Sequence, residues 1–77
     1  MVAYELQKVE NGTYYYNYYP DGDKSAPGCI TMDAEDNRGI VKISDEDVKN
    51  IYAGRVWREF ALGHTPLGQP SGELIMF

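Results

Sequence analysis

The two residues of this chain best suited to covalent chemistry are Cys29 and His64, a potential nucleophile and its base. Neither lies in a catalytic sequence signature. Cys29 begins an apolar stretch typical of a strand, where a free thiol behaves as a small hydrophobe. His64 follows a predicted helix end, where an imidazole complements the helix dipole. The sequence therefore predicts a protein that is not an enzyme, with no catalytic residue.

Metal ligands are present in the sequence, but not at the spacing that a metal site needs. One cysteine and one histidine cannot supply the four ligands of a structural zinc site. Asp21, Asp23 and Ser25 begin like a calcium loop, but Ala26 and Met32 occupy the positions where glycine and glutamate are required. Glycine-rich phosphate-binding motifs do not occur either. We expect no metal and no cofactor.

Acidic residues outnumber basic ones, 12 to 7, and the net charge of −5 disfavours direct contact with nucleic-acid phosphates. Two acidic groups flank a predicted strand, and together they comprise Asp33, Glu35, Asp36, Asp45, Glu46 and Asp47. One interpretation is a turn followed by the start of a helix, whose positive end favours carboxylates. The other is a surface that mimics nucleic acid and blocks a basic protein partner.

A run of tyrosines, TYYYNYYP at residues 13–20, is the most unusual feature of the sequence. It follows Asn11-Gly12, the strongest short signal for a two-residue type I′ hairpin turn. Residues 2–9 alternate between apolar and polar side chains near their start, which is strand periodicity. Residues 2–19 are therefore predicted to form a β-hairpin with an aromatic returning strand.

The register of that hairpin decides which tyrosines are buried. A two-residue turn pairs Glu10 with Thr13, and uninterrupted pairing then brings Tyr4 opposite Tyr19. The predicted core face carries Val2, Tyr4, Leu6, Tyr15 and Tyr19. The predicted outer face carries an exposed stripe suited to binding another protein, Val9, Tyr14, Tyr16 and Tyr18. A shift by one residue would exchange the faces and leave Tyr15 and Tyr19 outside instead.

The remaining elements follow from turn and capping signals. Residues 29–33 and 40–43 are predicted strands, separated by a turn rich in Asp, Asn and Gly. Ser44 is the predicted N-cap of a helix over residues 45–62, with Gly63 just beyond its end. Residues 73–77 are a possible fifth strand. The predicted core contains Leu6, Ile30, Met32, Val41, Ile43, Val48, Ile51, Tyr52, Val56 and Phe60.

These elements predict one small α+β domain over residues 1–77, in the order β-β-β-β-α-β. One helix packs on one face of a mainly antiparallel sheet of four or five strands. Inside the predicted helix, Arg55 and Glu59 interrupt the apolar stripe, either as an ion pair at its margin or because Gly54 rotates the helix face. From the sequence we expect neither a signal peptide nor a membrane span, and a single free cysteine suits the cytoplasm.

Residues 27–77 resemble a layout that recurs among short bacterial proteins of uncharacterised function, some of them encoded by phages or other mobile elements. The segments that carry the resemblance are PGCITMD, RGIVKIS, YAGRVWREF and GHTP. The resemblance implies a bacterial accessory or interaction protein and no particular activity.

Two functional hypotheses follow. The first is a small non-enzymatic protein-interaction module that forms a homodimer, or binds another protein, through Val9, Tyr14, Tyr16 and Tyr18. The second is an acidic inhibitor that binds a basic partner through the six carboxylates of the two acidic groups. Both exclude a membrane and direct binding to nucleic acid.

Overall fold

A computed structural model describes residues 1–76 of the chain and confirms the predicted α+β class. Five strands form one antiparallel sheet in the order β4-β3-β2-β1-β5. They are β1 Val2–Glu10, β2 Thr13–Pro20, β3 Gly28–Met32, β4 Arg38–Lys42 and β5 Ser71–Leu74. The helix α1, Ile51–Ala61, packs across β1, β2 and β3 on one face of the sheet. None of the described helices has the length and apolar character needed to cross a bilayer.

The hairpin turn has the predicted geometry, with positive φ at Asn11 (51°) and Gly12 (79°). The register next to the turn also agrees, since Glu10 pairs with Thr13 and Lys8 with Tyr15. Beyond that point a β-bulge at Gln7 interrupts the pairing, so that Leu6 pairs with Tyr16. A bulge places one extra residue on one strand, and every later pair shifts by one position.

That shift corrects the predicted faces of β2. Val2, Tyr4 and Leu6 do face the helix, but their strand partners there are Tyr16 and Tyr18 rather than Tyr15 and Tyr19. Tyr16 and Tyr18 are each 0% exposed. The prediction that they form an outer stripe is therefore wrong.

The start of the helix also differs from the prediction. Residues 45–50 form turns, and α1 begins at Ile51 with Asn50 as its N-cap residue in the left-handed conformation, φ 57°. Ser44 does not cap the helix, because its hydroxyl donates a hydrogen bond to the carbonyl oxygen of Ala26. The buried carboxylate of Asp47 instead accepts hydrogen bonds from the first-turn amides of Tyr52 and Ala53, both at 3.0 Å. The predicted helix end holds, with Gly63 at φ 73°.

The core agrees with the prediction in the middle of the molecule and differs at its margins. Ile30, Met32 and Val56 are buried, while Leu6, Tyr52 and Phe60 pack against them. Three residues predicted in the core are exposed, namely Val41, Val48 and Ile51 at 61%, 88% and 56%. Val48 is exposed because it lies in the turns before the helix, and Ile51 is exposed at the first position of the helix.

The last strand pairs within its own chain. Val2 of β1 lies opposite Leu74, and Glu5 lies opposite Ser71. The strand begins two residues before the predicted segment 73–77 and ends at Leu74. Phe77, the last residue of that predicted segment, lies outside the described residues.

Candidate interaction surface

The tyrosines predicted to bind a partner instead build the core. The rings of Tyr4, Tyr16 and Phe60 pack against one another, with centroid separations of 4.9 to 5.7 Å. The Tyr16 hydroxyl donates to the carbonyl oxygen of Gln69 at 2.9 Å and accepts from the amide of Gly68 at 3.0 Å. These bonds fasten the segment between α1 and β5 to the sheet. Tyr16 therefore stabilises the fold and is not available to a partner.

Tyr18 has an equally closed environment. Its hydroxyl accepts a hydrogen bond from the amide of Ser44 at 3.1 Å, and its ring lies where a Cβ on Gly28 would have to be. Burial raises the pKa of Tyr18 to about 12, and burial likewise raises the pKa of Tyr16 to about 12. Both phenols therefore stay neutral through the physiological pH range.

Val9 and Tyr14, the other two residues of the predicted stripe, pair with each other near the hairpin tip. They lie on the helix-bearing face, where Val9 is exposed and Tyr14 is half-buried against the core. The structure therefore separates the four residues into a buried pair and a peripheral pair. They do not form one continuous surface.

The opposite face of the hairpin carries Tyr15 and Tyr19, and the chain's own polar side chains cover both. The ammonium of Lys8 lies 4.5 Å from the ring centre of Tyr15, and that of Lys24 lies 4.3 Å from that of Tyr19. The Tyr19 hydroxyl also donates to Glu5 at 3.1 Å. These cation–π contacts cover the rings, so that Tyr15 is half-buried and Tyr19 is only 6% exposed.

The first acidic group occupies the turn between β3 and β4. The carboxylate of Asp33 accepts hydrogen bonds from the amides of Glu35 and Asn37 and from the Asn37 side chain, at 2.9 to 3.0 Å. The bonds from Asn37 are the main reason why the pKa of Asp33 is lowered. Asp36 forms an ion pair with Arg38 at 3.0 Å. Turn formation therefore explains part of this group.

The second acidic group follows β4 and lies at the other end of that strand. Asp45 and Glu46 are exposed, but Asp47 is only 2% exposed and caps the helix. A hydrogen bond with the Asp23 carboxyl raises the pKa of Glu46, which shows that two acidic loops meet here. The six predicted residues thus do not share one surface, and the buried carboxylate of Asp47 is not on the surface at all.

Cys29 and His64 lie on opposite sides of the sheet. Cys29 pairs with Asn17 on β2, between the buried positions of Tyr16 and Tyr18, so its side chain points away from the helix. Burial raises the pKa of the Cys29 thiol, which disfavours the reactive thiolate. His64 follows α1 on the other face, 3.6 Å from Glu59. The two residues do not form a nucleophile–base pair.

Glu59 holds the C-terminal part of the helix to the segments that follow it. Its carboxylate pairs with Arg55 at 3.0 Å and accepts a hydrogen bond from Thr65 at 2.7 Å. The hydroxyl of Thr65 is the main cause of the lowered pKa of Glu59. Arg55 also donates to the carbonyl oxygen of Ile75 at 3.0 Å. The pair is the helix-margin ion pair that the sequence offered as one alternative.

The feature that the sequence did not reveal is the free edge of β4. Ile40 is 50% exposed and Val41 is 61% exposed, although both were expected within a strand that contributes to the core. Ile40 pairs with the fully buried Ile30, so it lies on the helix-bearing face beyond the reach of the helix. Val41 sits where the register between β3 and β4 shifts. Successive side chains of a strand point to opposite faces of the sheet, and one helix covers one face. The adjacent apolar residues Ile40 and Val41 were therefore a sign in the sequence that one of them would be exposed.

The other edge of the sheet has a different character. Along β5, Ser71 and Glu73 are exposed, Gly72 is half-buried and Leu74 is buried. The apolar side chain on this edge is thus turned into the core, whereas those of β4 face water.

Depressions on the surface are shallow. A groove of about 200 Å³ lies between α1 and the end of β3 with the turn that follows it, and is lined by Met32, Asp33, Asp36, Trp57, Phe60 and Leu67, among others. Two others, beside α1 and beside β5, measure about 240 and 320 Å³. These volumes lie at or below the small end for sites that enclose a drug-sized ligand. No group of three or more potential metal ligands occurs within residues 1–76.

Comparisons of the chain with protein-family models, with curated proteins and with solved structures give no match. The resemblance to short bacterial proteins therefore stays a prediction.

Proposed function

We propose that this chain is a non-enzymatic protein-interaction module that binds a partner by adding one of its strands to the free edge of β4. The observation that carries the proposal is the exposure of Ile40 and Val41, at 50% and 61%, on a strand that no described strand pairs on its outer side. The proposal keeps the interaction class predicted from the sequence but assigns it to another surface.

An edge strand can bind another strand because one side of its backbone is unpaired. Roughly half of its backbone N–H and C=O groups point away from the sheet, and a partner strand satisfies them with main-chain hydrogen bonds. Side chains on alternate positions of the incoming strand then supply specificity. Proteins usually protect such edges with charges and short strands. β4 is short, has Arg38 and Lys42 at its ends and is irregular at Val41, but the exposed side chains at its centre are apolar.

The comparison between the two edges supports the choice of β4. An incoming strand at β5 would meet exposed Ser71 and Glu73 and bury little apolar surface. At β4 it would cover Ile40 and Val41, and burial of apolar surface is the main driving force of association.

Neither of the two hypotheses from the sequence, the tyrosine stripe or the acidic inhibitor, fits the fold unchanged. Self-association through the tyrosine stripe would require Tyr16 and Tyr18 to leave the core, which the fold does not permit without unfolding. The acidic inhibitor would have to act from two separate ends of β4. A cytoplasmic setting belongs to the same proposal, and the single free thiol of Cys29 supports it.

The proposal is tested with a short synthetic strand. The probe is a seven-residue peptide of alternating threonine and valine, N-methylated along one edge so that it cannot aggregate. Trp57 of α1 reports binding by fluorescence, because it is the only tryptophan and contacts both strands at this edge. Its indole N–H donates to the carbonyl oxygen of Thr31 on β3, and Arg38 of β4 lies over its ring. We expect saturable binding by the wild-type protein.

Two variants distinguish the edges. The double variant Ile40→Lys/Val41→Lys places charges on β4, and it should weaken binding by about tenfold or more. Ser71→Lys places one lysine on β5 and should bind as the wild type does. Lack of binding by the wild-type protein, or loss of binding in Ser71→Lys alone, would overturn the proposal. Far-UV circular dichroism confirms that each variant is folded.

A further inference from the structure

The chemistry at the two ends of β4 restricts what can bind there. The preceding turn carries Asp33, Glu35 and Asp36, and the segment after the strand carries Asp45 and Glu46. Five residues of strand span roughly 16 Å at about 3.3 Å per residue. An extended segment of about nine residues that pairs with β4 therefore reaches both acidic ends.

Both ends keep a net negative charge after their internal contacts are counted. At the first end Arg38 neutralises one carboxylate, that of Asp36. The hydrogen bonds to Asp33 come from neutral amides and leave its charge in place. At the second end Lys42 offsets one of the charges of Asp45 and Glu46, and Asp23 lies beside Glu46 and adds a further carboxyl group.

These charges disfavour a second copy of the chain as the occupant. Antiparallel pairing that brings Ile40 opposite Ile40 of the second copy also brings Arg38 opposite Lys42 and Glu35 beside Asp45. Sliding the second copy by one or two residues in one direction places Asp36 beside Asp45 or Glu46. Sliding it by two in the other direction brings Asp36 beside Lys42, but it sets Ile40 opposite Arg38 and so loses the apolar contact. Like charges opposite each other on paired strands are destabilising. Two-fold symmetry makes each repulsive pair occur twice.

We infer that the occupant of the β4 edge is a segment of a different protein, extended, apolar at its centre and basic at both ends. This inference rests on the proposed function and names its partner class. The apolar centre covers Ile40 and Val41. The basic ends lie beside Asp33 and Glu35 on one side and beside Asp45 and Glu46 on the other. The segment joins the two hypotheses from the sequence, an interaction module and an acidic surface for a basic partner.

The test uses three probe peptides with the same central five residues, Thr-Val-Thr-Val-Thr, and with two lysines, two glutamines or two glutamates at each end. Dissociation constants are measured by the fluorescence of Trp57 at low and high salt. We expect the lysine peptide to bind about tenfold more tightly than the glutamine peptide, which follows from a few exposed charge pairs. The advantage should shrink in 1 M salt, where the screening length is about 3 Å. The glutamate peptide should bind most weakly.

Matched variants locate the effect. Glu35→Gln/Asp45→Asn removes one charge at each end of β4 and should reduce the preference for lysine several-fold. Glu73→Gln removes a charge on the β5 edge and should leave the preference unchanged.

The outcomes separate the inference from the proposed function. Equal binding of the three peptides, or a preference for glutamate, would overturn the inference and leave strand addition in place. Failure of all three to bind would overturn the proposed function itself. Sedimentation that shows a dimer, lost in Ile40→Lys/Val41→Lys but kept in Ser71→Lys, would mean that a second copy occupies the edge, and would also overturn the inference.

Discussion

Asp47 shows how much one buried side chain can determine in a small domain. Its two carboxylate oxygens satisfy the amides of Tyr52 and Ala53, which a helix start leaves without partners. It does so from three residues before the N-cap residue, Asn50. Sequence reasoning placed the cap at Ser44, because serine followed by acidic residues is the usual pattern. Local spacing does not reveal that the chain makes a further turn before the helix begins.

Replacing Asp47 by alanine should therefore destabilise the fold strongly. The change leaves two amides without their charged acceptor, and we expect the free energy of unfolding to fall by about 2–4 kcal/mol. The measurement is unfolding in urea. Asp45→Ala is the control, because Asp45 is exposed, and it should change the free energy by less than about 0.5 kcal/mol. Equal effects of the two substitutions would show that Asp47 does not cap α1.

The buried phenols of Tyr16 and Tyr18 predict a loss of stability in alkali. Each has a pKa of about 12 in the folded protein, against about 10 in the unfolded chain. Above pH 10 the unfolded chain releases these protons while the folded protein keeps them. Stability from this source is therefore complete below about pH 10 and is lost as the pH rises towards 12.

The variant Tyr18→Phe tests that assignment, because it removes one of the two groups. Its free energy of unfolding at pH 8 should be lower by about 1 kcal/mol, since the amide of Ser44 loses its acceptor. Its further loss between pH 10 and 12 should be roughly half that of the wild type. Urea unfolding across this range gives both values. An alkaline loss as large as that of the wild type would exclude Tyr18 as a source.

At the scale of the elements, the sequence predicted four or five strands, one helix and the hairpin turn in the right order, and the bulge at Gln7 changed which tyrosines face the core. Apolar alternation and Asn11-Gly12 are local signals, so the hairpin and its first three pairs were predictable. The bulge at Gln7 arises because β1 has one residue more than β2. Leaving Gln7 unpaired lets Leu6 and Tyr4 of β1 and Tyr16 and Tyr18 of β2 all face the core. Counting pairs outward from the turn assumes equal strands. It therefore assigned Tyr16 and Tyr18 to the wrong face.

Deletion of Gln7 should be tolerated. Without Gln7, Leu6 and Lys8 become neighbours on β1. Leu6 can still pair with Tyr16 and Lys8 with Tyr15, so every side chain of the hairpin stays on its present face of the sheet. We expect a folded protein whose free energy of unfolding lies within about 1 kcal/mol of the wild type. Deletion of Asn17 is the matched change on β2. It would turn Tyr18 to the opposite face, and it should abolish cooperative unfolding in urea. A Gln7 deletion as damaging as the Asn17 deletion would contradict the assigned register.

The limited size of the helix explains why β4 was mistaken for a core strand. Eleven residues make a helix about 16 Å long and about 10 Å wide. Five strands at about 4.8 Å spacing span roughly 19 Å between their outer axes. The helix lies over β1, β2 and β3, so Ile40, which lies on the same face of the sheet, remains uncovered. Sequence periodicity shows which residues are apolar, but it does not show which strand ends at the margin.

At the scale of the whole molecule, the fold places an apolar edge between two acidic ends. The net charge of −5 was visible in the sequence. Its arrangement around β4 depends on strand order and on the burial of Asp47, which only the three-dimensional fold specifies. We therefore propose the edge of β4, rather than an aromatic face, as the interaction surface, and a partner segment with basic ends.

The most direct measurement of strand addition is nuclear magnetic resonance on the labelled protein with the lysine-flanked probe peptide. We predict nuclear Overhauser effects between the peptide backbone and residues 38–42 of β4, together with slower exchange of the outward-facing β4 amides. Residues 71–74 of β5 should be unaffected. Contacts between the peptide and β5, or contacts confined to Val9 and Tyr14 near the hairpin tip, would contradict the account.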